Sequence, residues 1–100
     1  MEQIRDKHNE AMRIAKKADT LKDNKEEYYK LTLNAYHLEM SAANDLEPEI
    51  SNEPTRSILY LSAAFLAERI NENDLMKNAC ELGMNSKYSP KHYKENFKNL

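Results

Sequence analysis

The longest apolar run in the chain is Ser57 to Ala67, Ser-Ile-Leu-Tyr-Leu-Ser-Ala-Ala-Phe-Leu-Ala, and it carries no charge. A bilayer span needs about 20 apolar residues, so this shorter run predicts a helix buried inside a soluble protein. Its apolar residues fall in two rows of helical spacing, Ile58, Leu61, Phe65 and Leu59, Ala63, Leu66, Ile70. Two adjacent rows predict a helix wetted on little of its surface, with neighbours on at least two sides. The rest of the chain is expected to cover it.

What can cover it follows from composition. The chain has 100 residues, one Gly, three Pro and no Trp. Val, a strong strand former, is absent, while the helix formers Ala, Leu, Lys, Glu and Met are common. This predicts a single all-α domain with few tight turns and a modest core. The net charge of −2 gives no general pull towards nucleic acid or an anionic membrane. Cys80 is the one cysteine and cannot form an internal disulfide. With a charged N-terminus that lacks an apolar signal core, it predicts a cytoplasmic protein.

Five helices are predicted. Helix 1 runs from about Glu2 to Leu21, with Ile4, His8, Ala11, Ala15 and Ala18 in one stripe and Met12 and Ile14 widening it. Its small residues predict a close antiparallel partner. Asn24 caps helix 2, with Glu26 and Glu27 in the positive first turn. Helix 2 runs to about Leu46 with a broad apolar face, Tyr28, Leu31, Ala35, Leu38, Ala42 beside Tyr29, Leu33, Tyr36, Met40, Ala43. Asp45 to Glu53 is an acidic loop, and Pro54 suits the first turn of helix 3, capped by Asn52 or Glu53. Helix 3 ends near Asn71, and Asn73 or Asp74 caps helix 4, whose stripe is Leu75, Ala79 and Leu82. Gly83 is placed as a left-handed residue that stops helix 4. Ser89-Pro90 reads as cap and first residue of helix 5, which carries Tyr93, Phe97 and Leu100 on one side. From position 77 onward Lys77, Lys87, Lys91, Lys94 and Lys98 face only Glu81 and Glu95, so the end of the chain is basic and the body acidic.

Ile58, Leu61, Ser62, Phe65, Leu75, Ala79, Leu82 and Pro90 resemble the spacing of one tetratricopeptide-type hairpin, with one extra turn residue and Asn in place of the turn Gly. Helices 1 and 2 resemble a second, looser hairpin through Ala11, Ala15, Ala18, Tyr28 and Ala35, although helix 2 is longer than the repeat. The segment Glu53 to Ala64 also resembles a stretch in small, functionally uncharacterised bacterial proteins of tetratricopeptide-like form. Residues 8 to 46 resemble a microtubule-interacting-and-transport-type three-helix bundle nearly as well. The tetratricopeptide resemblance implies two antiparallel helix hairpins plus a C-terminal capping helix, and a protein partner. It carries no catalytic residue across.

No constellation for chemistry stands out. His8, His37 and His92 lie in no two-His helical metal motif, and His8 reads as a core-edge residue. Cys80 reads as an inert buried thiol. The single Gly excludes Gly-rich phosphate loops. No cofactor, metal or catalytic residue is therefore expected, and the chain reads as non-enzymatic.

The expected function is a protein–protein interaction or scaffold module that self-associates, with a dimer covering apolar ends that further repeats would otherwise cover. The self-association residues are Tyr29, Leu33, Tyr93 and Phe97. A peptide or protein groove is expected at Arg56, Tyr60 and Tyr36, with Arg56 either clamping a ligand carboxylate or paired internally with Glu47, Glu49 or Glu53. The alternative is a nucleic-acid-associated regulator that uses Lys87, Lys91, Lys94 and Lys98 among Tyr88 and Tyr93. No membrane contact is expected.

Overall fold

The computed structural model describes residues 2–100. Five α-helices follow one another: α1 (Glu2–Asp19), α2 (Lys25–Asn44), α3 (Thr55–Arg69), α4 (Asn73–Met84) and α5 (Lys91–Lys98). A 3-10 turn, Ile50–Asn52, interrupts the α2–α3 loop. No strand is present among the described residues. Each helix packs chiefly on the helices before and after it, and α5 also reaches back to α3. The molecule measures 40 × 30 × 17 Å. No described helix is long and apolar enough to cross a membrane.

The Ala stripe of α1 does what small residues predict. Ala11, Ala15 and Ala18 are buried, and α1 lies closely along α2. Lys7 locks the pair at one end, its Nζ 2.8 Å from Ser41 Oγ and 2.6 Å from Asp45 Oδ2. Asn24 caps α2 as expected, accepting from the Glu27 N–H at 3.3 Å. The centre of the buried face of α2 includes two polar residues, Thr32 and Glu39, alongside Ala35, Tyr36 and Met40.

Of the two residues expected to cap α3, Glu53 supplies the side-chain acceptor, its Oε1 accepting from Ser57 N–H at 3.1 Å and from Ser57 Oγ at 2.8 Å. Several other local expectations are corrected. Ser89 does not cap α5. It is buried and bonds Ser57 Oγ at 2.7 Å, tying the start of α5 to the start of α3. Helix α4 already includes Asn73 and Asp74, and the residue before it makes no side-chain cap bond. Gly83 does not end α4 in a left-handed conformation. It lies within the helix, and a Cβ there would collide with the Phe97 ring. Its role is close approach, which lets α5 seat an aromatic ring on the α4 backbone. Among the described residues the left-handed one is Asn71, at φ 59°. It closes α3 with Asn71 N–H on Glu68 O at 3.1 Å and Glu72 N–H on Ala67 O at 3.0 Å, a Schellman pattern.

The two rows of α3 part company. Leu59, Ala63, Leu66 and Ile70 are buried as expected. The other row is not covered: Ile58 is 41% exposed and Phe65 44%, with Leu61 half-buried between them.

Candidate functional site

The expected groove residues are all interior. Arg56 is 7% exposed, and Tyr60 and Tyr36 are buried. Arg56 lies 4.9 Å from the centre of the Tyr60 ring, and its Nε donates to Leu46 O at 3.3 Å. The Tyr60 hydroxyl donates to Asn44 Oδ1, and that of Tyr36 to Leu75 O at 3.2 Å. Burial pushes both phenols up, with Arg56 opposing the rise at Tyr60. Arg56 and Tyr60 tie α3 to the chain at and just after the end of α2, and Tyr36 ties the middle of α2 to α4. Among the described residues Arg56 has no carboxylate partner; the Leu46 carbonyl just after α2 and the Tyr60 face meet it instead, and its buried Nη1 has no hydrogen-bond partner there.

The expected self-association set is split. Phe97 is buried against Gly83 and belongs to the core, which corrects its placement as a surface residue. Tyr29 is exposed on α2, Leu33 is half-buried, and Tyr93 is half-buried on α5. Lys87, Lys91 and Lys98 are exposed and Lys94 is half-buried. The Lys87 ammonium sits 5.1 Å from the centre of the Tyr88 ring, occupying the face a base would stack on.

The open row of α3 lines a groove. Met12 and Ala15 of α1, Ile58, Leu61 and Phe65 of α3, and Tyr93 of α5 enclose about 430 Å³ of largely apolar space, with Arg69 at the far end. Ile58 also lines a second recess of about 230 Å³ formed with Ile4, Arg5, His8, Thr55 and Leu59. The two share Ile58 as a wall, and both lie between α1 and α3. The permanently charged residues that line them are Arg5 and Arg69, and no carboxylate lines either recess. Fully covering an aliphatic or Phe side chain is worth about 1.5–3 kcal/mol, so two half-open ones are a cost that a bound partner removes.

Behind the groove lies a polar cluster absent from the sequence expectations. Glu39 of α2 is 0% exposed. Its Oε1 lies 2.8 Å from His8 Nδ1, and its Oε2 meets no hydrogen-bond partner among the described residues. Burial pushes the carboxyl above its usual range, and Ser62 and His8 offset part of that rise. His8 lines the smaller recess and Ser62 the larger, so the cluster sits at their junction. The order is Ser–Glu–His with the carboxylate in the middle. A nucleophilic triad needs the imidazole between hydroxyl and carboxylate, and this arrangement activates no hydroxyl.

Cys80 is buried, and burial together with Glu68 and Glu81 pushes its thiol up, away from the thiolate a nucleophile needs. Among the described residues no group of three His, Cys, Asp or Glu is placed to hold a metal ion. No protein-family model, curated protein or solved structure matches the chain.

Proposed function

We propose that the protein is a non-enzymatic interaction module of tetratricopeptide-like form, cytoplasmic and self-associating, that docks a short protein segment in the α1–α3 groove. The observation that carries this reading is the open apolar row of α3, with Ile58 and Phe65 each more than two-fifths exposed in a groove bounded by Arg5 and Arg69. Scattered surface apolar residues need no explanation, but here two of them share one concave strip on one helix. Apolar anchors in the floor supply affinity, and cations at the ends set register and exclude basic segments. The segment that fits presents an aliphatic or aromatic side chain beside a carboxylate.

Peptide display against the folded chain tests this. The reading predicts enrichment of sequences with an apolar residue next to Asp or Glu. Binding should vanish in an Ile58→Lys/Phe65→Lys variant and survive reversal of Lys87, Lys91, Lys94 and Lys98 to Glu. Enriched peptides indifferent to the groove variant would overturn it. Oligonucleotide binding that falls steeply with salt and is lost on the four-lysine reversal would favour the nucleic-acid reading instead.

A further inference from the structure

We propose that the Arg5 end of the groove receives the Glu47–Ile50 loop of a second copy of this chain, each copy docking the other's loop about a two-fold axis. The inference rests on the interaction-module reading and names its partner.

Ile50 is 72% exposed, well above the values at Ile58 and Phe65. A branched aliphatic side chain standing this far out of an ordered turn is built as a knob. The turn that presents it is held internally: Glu53 N–H bonds Ile50 O at 3.1 Å, Asn52 N–H bonds Glu49 O at 3.0 Å, and Asn52 Nδ2 donates to Glu47 O at 2.9 Å. A preorganised loop loses less freedom on docking than a floppy one.

The charges on the knob complement those of the recess. Glu47 and Glu49 precede Ile50 in the loop, are exposed and form no ion pair among the described residues. Arg5 is likewise exposed and unpaired there, beside Ile4 and Ile58. An apolar knob beside carboxylates matches an apolar recess beside a guanidinium, whose fork suits a carboxylate.

Knob and recess also lie at the same end of the molecule. The Lys7–Asp45 pair fixes the start of α1 against the end of α2, from which the loop emerges, and the loop leads directly into Thr55 on the recess wall. A two-fold pair needs one patch that carries both halves of the contact, so that each copy gives and receives. The adjacent loop and recess supply such a patch.

Light scattering of the full chain across a dilution series, at low and moderate salt, tests the proposal. The wild type should reach the mass of two chains. Arg5→Glu and Glu49→Lys, both at exposed positions, should each weaken the pair by about tenfold or more. An equimolar mixture of these two variants is the decisive arm. The unaltered Glu49 of the first variant then meets the unaltered Arg5 of the second. At the other half of the contact the introduced lysine of one meets the introduced glutamate of the other, so a heterodimer should reappear. A mixture that stays at single-chain mass, or a wild-type dimer that neither reversal weakens, overturns the proposal. A wild type that is monomeric throughout also overturns it, while groove-dependent peptide capture would leave the module reading standing with another occupant.

Discussion

Helix α3 presents two apolar rows of nearly the same composition, and the fold treats them in opposite ways. Leu59 and Leu66 are each 3% exposed, while Ile58 and Phe65, one residue away from each, are 41% and 44% exposed beside the α1–α3 groove. Helical spacing cannot distinguish these fates, because both rows repeat every three to four residues. The number of neighbours decides. In a stack where each helix rests on the next, an interior helix is covered mainly by its two sequence neighbours; α5 reaches back to part of α3, and the side of α3 towards α1 is left the barest. The α1–α3 face is that bare side, and the groove follows from topology as much as from sequence.

The largest expected effect separates the two rows directly. Leu66→Ala should cost about 2–5 kcal/mol, the usual range for a buried Leu, and Phe65→Ala about 1–2 kcal/mol, the part of its burial the fold already supplies. Urea denaturation of the two variants checks this, and equal costs would erase the distinction between core and groove.

A second, smaller effect concerns how α5 is held at the edge of the groove. Gly83→Ala places a methyl where the Phe97 ring lies, and should cost about 1–3 kcal/mol through overpacking. A Gly83→Ala/Phe97→Leu double variant should recover part of that loss relative to the sum of the singles. Strict additivity would show that the ring does not lie on Gly83.

The smallest effect lies at the boundary between the rows, where Glu39 sits behind Ser62 and His8. Burial raises its folded-state pKa above the unfolded value, so the folded state holds this proton more tightly. The stability it contributes is present in full below the unfolded carboxylate range and is lost as pH rises through the raised value. Glu39→Gln should therefore gain stability relative to the wild type as pH rises from about 4 to about 8, read by chemical denaturation at each pH. Parallel profiles would mean that the carboxyl is not desolvated.

Much of this architecture is legible in the chain. Five helices, the Asn24 cap and the Ala-rich contact of α1 follow from spacing and cap chemistry, because those signals are local. The local corrections share a cause: reading along the chain gives polar and small residues their commonest local role. It puts Gly83 at a helix end and Ser89 at a cap, yet each serves a distant contact, to Phe97 and to Ser57. The tetratricopeptide resemblance and the interface preference of Tyr put Arg56, Tyr36 and Tyr60 in a groove, whereas the structure buries all three and bonds each to an interior acceptor. Thr32 and Glu39 escape notice through the same local reading of polar residues, although they share helical spacing with Ala35, Tyr36 and Ala43. Asking which polar residues fall inside an apolar stripe would find them. The groove itself leaves a sequence signal, the surplus apolar row, but only the helix order reveals that nothing in the chain covers it.

The most direct test is one doubly substituted chain, Ile58→Lys/Phe65→Lys, taken through urea denaturation and light scattering on the same sample. If the open row is a docking surface, the variant keeps its fold with a loss of about 1–2 kcal/mol per site and runs as a single chain where the wild type pairs. If the variant unfolds, the row is core after all; if it folds and still pairs as the wild type does, the groove is not where this protein meets its partner.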